Sequence, residues 1–144
     1  MSDPSWEALL HALPHGPPLR VIDRIVAIDL QARRLTAQVD VRDDHPLVVG
    51  HFPGDPIWPG VGTLEAAAQA TALLVGALQG TLRAGTLADA AGRFHVPVRP
   101  PAVLTLVVSI TGHLSGVWRA EWEASVGTTT VGSGRVAVAV GGAP

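Results

Sequence analysis

Apolar and polar residues alternate along four stretches of the chain, and a fifth stretch is apolar almost throughout. Leu35, Ala37, Val39 and Val41 alternate with Arg34, Thr36, Gln38 and Asp40, which predicts a strand with one buried face. Leu104, Leu106, Val108 and Ile110 repeat the pattern against Thr105, Val107, Ser109 and Thr111. So do Trp118, Ala120, Trp122, Ala124 and Val126 against Arg119, Glu121, Glu123 and Ser125. Val136, Val138 and Val140 close the series against Ala137 and Ala139. Gly112 to Gly116 and Gly127 to Thr129 lie between these runs as hairpin turns. An earlier run, Leu19 to about Leu30, is apolar on both faces apart from Asp23 and Arg24, and is read as a further strand.

The fifth stretch, from about Pro59 to Gln79, is read as the one long helix, with Gly80 as its C-cap. It is rich in Ala and apolar nearly all round, so it should be enclosed. Its polar stripe is Glu65, Gln69, Ala72 and Gly76, and the two small residues should leave a groove along that face. Asp3-Pro4 reads as an N-cap followed by proline at the first helical position, opening a short helix to about Leu13. Pro14, Gly16, Pro17 and Pro18 end it. Between Asp43 and Pro59 the prolines at 46, 53, 56 and 59 predict a stiff loop. A single apolar helix beside five or six strands is buried only if the sheet curls around it. The predicted fold class is therefore α+β, an antiparallel sheet wrapped around one long central helix, with residues 1–144 forming one domain.

Composition narrows the function. The chain has 144 residues, 47% hydrophobic and only 15% charged, which marks a globular domain. The apolar excess suggests a surface covered by a second copy. A net charge of −2 without any basic stretch leaves nothing to neutralise a nucleic-acid backbone. There is no cysteine, so disulfides and thiolate zinc sites are excluded. Met1-Ser2-Asp3-Pro4-Ser5 lacks the basic-then-apolar order of a signal peptide. The run Ala66 to Leu78 is broken by Gln69 and falls short of the roughly 20 apolar residues of a membrane span. A cytoplasmic protein is expected by default. All ten basic residues are Arg, a compositional bias without functional weight.

The candidate chemistry sits between positions 51 and 65. Pro59, Gly60 and Val61 start the helix with backbone N–H groups that lack intrahelical partners, at the positive end of the helix dipole. An oxygen gaining negative charge would be stabilised there, and Gly60 lets it approach the backbone. His51, between Gly50 and Phe52-Pro53, has a restricted backbone. Near a helix N-terminus its protonated form is disfavoured, which suits a general base. Glu65, among Val61, Leu64 and the alanines at 66 to 68, should be desolvated and drift towards its acid form, able to protonate a leaving hydroxyl. A solvated first-turn Glu favoured by the dipole is the competing reading. Asp55, in a Pro-Gly-Asp-Pro stretch, is explained by turn chemistry. His11, His15, His45, His95 and His113 read as structural, and their spacing suggests no metal site.

Gly50-His51-Phe52-Pro53, Pro56, Pro59-Gly60-Val61 and Glu65-Ala66-Ala67-Ala68-Gln69 resemble the signature of the 3-hydroxyacyl-(acyl carrier protein) dehydratases, hot-dog-fold enzymes of the FabZ type. Leu13-Pro14-His15 with Pro17-Pro18 and Asp23-Arg24 resembles the same family's first motif. Arg93-Phe94 with Pro97-Val98 and Pro100 resembles its third, and the match runs in order from about residue 13 to 140. The resemblance implies a hot-dog fold and dehydration of (3R)-3-hydroxyacyl thioesters to trans-2-enoyl thioesters. The acyl group would ride on the phosphopantetheine of an acyl carrier protein, with no metal or organic cofactor. His51 would remove the proton beside the thioester carbonyl, Glu65 would assist loss of the 3-hydroxyl, and the Gly60 amide would hold the carbonyl oxygen. Whether His51 moves both protons or shares them with Glu65 stays open. Phe52, Pro53, Trp58, Val61, Gln69, Phe94 and Pro97 would line the substrate, and Arg93 and Arg99 would contact the carrier. The family also implies a homodimer or a trimer of dimers, with the catalytic pair contributed by different subunits. Glu rather than Asp at 65 resembles the branch that dehydrates without isomerising.

The chain departs from that family's usual pattern at several points. Leu47-Val48 replace an aromatic pair, Gly16 an arginine, Trp58 an aliphatic residue, and Pro101-Ala102 a Gly-Asp turn. These changes bear on acyl length and carrier rather than on the reaction. Two rival readings use the same residues: a hot-dog thioesterase in which Glu65 activates water, and a non-catalytic partner subunit of a dehydratase heterodimer.

Overall fold

The structure, a computed structural model, describes residues 4–141. In chain order the elements are α1 (Pro4–His11), β1 (Arg24–Asp29), β2 (Arg34–Val41), α2 (Pro46–Val49) and α3 (Gly60–Gln79). They are followed by β3 (Gly85–Phe94), β4 (Ala102–Leu114), β5 (Val117–Val126) and β6 (Thr129–Val140). The strands form one antiparallel sheet in the order β1-β2-β4-β5-β6-β3. It curls around α3, which packs against β2 through β6.

Period-two alternation decides which face each strand turns inward. Leu35, Ala37, Val39 and Val41 of β2, Leu104, Leu106 and Val108 of β4, and Trp118, Ala120, Trp122 and Ala124 of β5 are all buried. The polar partners Arg34, Thr36, Glu121 and Glu123 stand on the outer face, where they line a shallow groove with Arg93 and Arg135. α3 buries Ala66, Ala67, Ala70, Leu73 and Leu74 against that inner face. Its alanines let the backbone lie close to the sheet, and Gly80 ends it at φ +76°, the left-handed conformation glycine adopts without penalty. Among the described residues α3 is also the one helix long and apolar enough to cross a membrane, yet most of it is covered by the sheet.

Four details differ from the sequence reading. Residues 19–23 are not strand. The Leu19 carbonyl and the Val21 N–H bind the Gln69 side chain instead of a neighbouring strand, so the ladder of β1 begins only at Arg24. Residues 46–49 form the single helical turn α2 inside what was expected to be loop. Gly112 belongs to β4, at a bulge opposite Arg119, and the turn that follows is carried by Ser115 and Gly116, both at positive φ. The fourth is β3, which has no alternation to reveal it. Its small residues answer to close approach: a Cβ on Gly92 would stand 2.6 Å from the Trp122 ring, and one on the paired Gly134 2.0 Å from the Ala91 carbonyl. The proposed Asp3 cap lies outside the described residues, while the helix it would open is present as α1.

The groove expected beside Glu65, Gln69, Ala72 and Gly76 is narrowed rather than continuous, and at its far end Gly76 lines a cavity with Trp6, Leu9 and Leu82. Leu82 packs where a Cβ on Gly76 would sit, at 2.8 Å, and the 19–21 segment covers Gln69.

Candidate active site

His51 opens a loop that is closed on itself. Phe52 N–H donates to the Asp55 carbonyl and Asp55 N–H to the Phe52 carbonyl, both at 2.9 Å, and Ile57 N–H donates to the His51 carbonyl at 2.8 Å. The imidazole braces the loop as well, with Nδ1 3.0 Å from the Ile57 carbonyl oxygen. A carbonyl oxygen can only accept, so Nδ1 carries the ring proton and Nε2 holds a lone pair. Phe52 stacks on the ring at 4.3 Å between centroids. Stiffness here comes from main-chain hydrogen bonds as much as from the prolines.

On the other side of His51 stands α2. His45 is its N-cap: the ring Nδ1 accepts from Leu47 N–H at 3.1 Å, and the His45 carbonyl accepts from Val48 N–H at 2.8 Å and Val49 N–H at 3.1 Å. The Val48 carbonyl in turn accepts from His51 N–H at 2.9 Å. His45 is buried, its ring edge-on to Trp58 at 4.8 Å and 84°. Burial holds its imidazole below the ordinary histidine range; Arg42 acts in the same direction, while Asp23 and Asp44 oppose it.

The start of α3 has the character expected. Pro59 occupies the N-cap position and offers no side-chain acceptor, so the first-turn N–H groups at Gly60 and Val61 keep their donor capacity. The Phe94 ring lies over Gly60, 3.0 to 3.3 Å from where a Cβ would stand. Trp58 wedges beneath the same turn. Its Nε1–H donates to Thr63 Oγ1 at 3.0 Å, and a Cβ on Gly62 would meet the indole at 2.7 Å.

Glu65, one turn further on, is not enclosed by alkyl neighbours as the sequence suggested; a quarter of its side chain is exposed. Gln69 Nε2 donates to Glu65 Oε1 at 2.9 Å and to the Leu19 carbonyl at 2.8 Å, while Gln69 Oε1 accepts from Val21 N–H at 3.1 Å. His15 Nε2 stands 3.6 Å from Glu65 Oε1, and its buried Nδ1 has no hydrogen-bond partner among the described residues. The carboxyl is thus held in a polar cluster drawn from the beginning of the chain. Among the described residues no hydrogen bond or ion pair joins Glu65 to His51; each belongs to its own network.

Of the remaining residues read as substrate contacts, Phe52, Pro53, Val61, Phe94 and Pro97 are exposed around the loop and the helix start. Trp58 and Gln69 are placed differently: both are buried, and both act on neighbouring protein groups. Arg99 pairs with Asp55 on the His51 loop, which ties down one of the two cations expected for carrier contact, whereas Arg93, on the outer face, makes no such pair among the described residues. Sequence reasoning reads His45 as structural without finding its capping role, and passes over Thr63. The signal for His45 is there, a polar residue directly before Pro46, the same order read at Asp3-Pro4, but the surrounding prolines favour a loop. Among the described residues no group of His, Asp and Glu side chains converges as metal ligands.

Comparison with known proteins places this arrangement. A profile described as the FabA-like domain matches residues 13–135. The 3-hydroxyacyl-(acyl-carrier-protein) dehydratase FabZ of Myxococcus xanthus is 37% identical over 130 residues, covering 88% of this chain and 84% of its own length. That of Chlamydia trachomatis serovar L2 is 38% identical over 128 residues, with coverage of 86% and 84%. Among solved structures, the dehydratase heterocomplex ApeI:P of Xenorhabdus doucetiae superposes with a TM-score of 0.80 at 20% identity, over 93% of this chain and 91% of that one. A hypothetical thioesterase with coenzyme A from Streptococcus pneumoniae gives 0.65 at 12% identity, over 83% and 85%. Identities so low establish the shared hot-dog fold alone; the sequence matches go further, and by them the chain belongs to the FabZ-type 3-hydroxyacyl-(acyl-carrier-protein) dehydratase family.

Proposed function

We propose that the chain catalyses dehydration of (3R)-3-hydroxyacyl thioesters on acyl carrier protein to trans-2-enoyl thioesters, with His51 as the base. The observation that carries this reading is the Nδ1–H of His51 fixed on the Ile57 carbonyl, because it leaves Nε2 with its lone pair on a ring held by a rigid loop. Nε2 removes the proton from the carbon between the carbonyl and the hydroxyl-bearing carbon. Negative charge builds on the thioester oxygen, and the Gly60 N–H, uncapped at the positive end of α3, stabilises it. As the double bond forms, the C–O bond at the 3-position breaks, the Glu65 carboxyl orients the departing hydroxyl, and the hydroxyl leaves as water with the proton that Nε2 removed. Glu65 keeps its other oxygen for this task, since Gln69 holds Oε1. Phe52, Pro53, Val61, Phe94 and Pro97 are exposed where an acyl thioester would lie.

The separate networks of His51 and Glu65 support a dimer in which one subunit supplies the base and its partner the carboxyl. β3 has a hydrogen-bonded neighbour on one side only, and Leu87, Phe94 and Val96 on and beside it are exposed. An unpaired edge with apolar flanks is a surface that strand pairing would cover. Arg93 offers a small positive contact to an acidic carrier, Arg99 being held by Asp55.

The test is hydration of crotonyl thioester, on coenzyme A and on carrier protein, followed by loss of enoyl absorbance. Conversion to the 3-hydroxyacyl product, lost in His51→Ala, is expected; free thiol without hydration would replace the reading with a thioesterase. Mixing inactive His51→Ala and Glu65→Ala proteins should restore roughly a quarter of the activity if each site is shared between subunits. No recovery on mixing would place both groups in one chain.

A further inference from the structure

α2 is a single turn, too short to hold itself, yet the His51 N–H hangs from its Val48 carbonyl. Val48 anchors that turn in the core, and its free backbone groups are met by one residue. The His45 ring satisfies Leu47 N–H, and the His45 carbonyl receives Val48 and Val49. On its other side the same ring meets the Trp58 indole, whose Nε1 is bound to Thr63 and whose ring fills the space beside Gly62. Thr63 and Gly62 lie in the first turn of α3, beside the Gly60 amide. A continuous line of contact therefore runs from the element that carries His51, through His45 and Trp58, to the element that carries Gly60.

We propose that His45 is a positioning residue: by capping α2 and bracing Trp58, it sets the distance between the His51 base and the Gly60 amide. The catalytic part of this statement rests on the dehydratase reading above; the structural part does not. Misplacing a base relative to an oxyanion donor lowers turnover more than ground-state binding, so the effect falls on kcat. The cap requires the unprotonated Nδ1, because an imidazolium donates from both nitrogens. The charged groups facing the ring are Arg42 and Asp44 from the segment leading into α2, and Asp23 from the segment before β1.

The decisive comparison is His45→Asn against His45→Leu. Asn keeps a side-chain acceptor suited to an N-cap, whereas Leu keeps apolar bulk and loses the acceptor. His45→Leu should lower kcat about tenfold with KM within about twofold, and His45→Asn should recover most of that loss. Equal kcat in the two variants, or an effect confined to KM, would overturn the proposal. Amide hydrogen exchange is measured on the same proteins without substrate. In His45→Leu the Leu47, Val48 and His51 amides should exchange roughly fivefold faster, the factor that loss of an ordinary cap represents, with β4 and β5 unchanged. Unaltered exchange at those three amides would refute the positioning role, even if the wild type proved inert and the dehydratase reading fell. Should His45→Leu fail to fold, His45→Gln, whose side chain is one methylene too long for the cap, takes its place.

Discussion

The two candidate catalytic side chains are held in opposite ways. His51 is fixed almost wholly by residues near it in sequence: His45, Val48, Phe52, Ile57 and Trp58. Glu65 is fixed by Gln69 one turn away and then by His15, Leu19 and Val21, more than forty positions upstream. A base must present a lone pair in one direction, and a tight loop with a fixed tautomer does that locally. A carboxyl on a helix already has its direction, and what it needs is a polar neighbour to hold one oxygen. Gln69 is that neighbour, and the early chain holds it in place through Leu19 and Val21. Local networks and long-range ones fail differently, and that difference can be tested.

The largest effect is expected at the base. His51→Ala should lower hydration turnover about a thousandfold while circular dichroism and melting temperature stay close to wild type, because the loop keeps its backbone hydrogen bonds. A collapse of the fold in this variant would mean that the ring, rather than the backbone, holds the loop. Next comes Gln69→Leu. It strands the buried Val21 N–H and takes the partner from the more exposed Leu19 carbonyl, costing up to about 3 kcal/mol of unfolding free energy. Exchange should quicken over residues 19–23 and leave Val48 and His51 protected; loss of protection on both sides would show that the two networks are one.

Gly62→Ala probes the opposite side. Its Cβ would press on the buried Trp58 ring at 2.7 Å, and overpacking of that kind costs about 1–3 kcal/mol. Denaturant midpoints should fall accordingly, with the 19–23 amides unaffected. The smallest effect is in pH dependence. Because burial keeps His45 neutral in the folded chain, the unfolded chain takes up a proton first as pH falls. Stability from this group is therefore whole above about 6.5, the ordinary histidine value, and declines below it until the folded ring also protonates. His45→Asn should flatten the melting temperature between pH 7 and 5 relative to wild type; an unchanged slope would assign the acid sensitivity to other groups.

This contrast also explains what could be read in advance. Strands β2, β4 and β5 were legible because each has one wet face and one dry face, so burial writes period two into the sequence. α3 was legible from its length, its alanines and Gly80. β3 was not, since it is an edge strand whose Gly92 answers to the Trp122 ring and whose backbone lies close against Gly134 of β6. Such constraints come from residues some 30 to 40 positions away and leave no periodic mark. His51, Gly60 and Glu65 could be singled out by their chemistry and spacing. The polar cluster around Glu65 could not, because nothing near position 65 announces that a glutamine side chain will replace the strand partner of residues 19–21. The same interaction removed the first half of the strand expected from Leu19 to Leu30.

The wedge of Trp58 beneath the start of α3 has a consequence for how this sequence can drift. An indole at 58 is compatible with nothing larger than glycine at 62, so the two positions must change together. A chain that trades Trp58 for a smaller aliphatic residue opens a void under the helix, and a side chain at 62 becomes the means of filling it. Trp58→Leu and Gly62→Ala should each be harmful alone and milder in combination. Positions 58 and 62 form a coupled pair whose history would be written as paired replacements rather than as two independent ones.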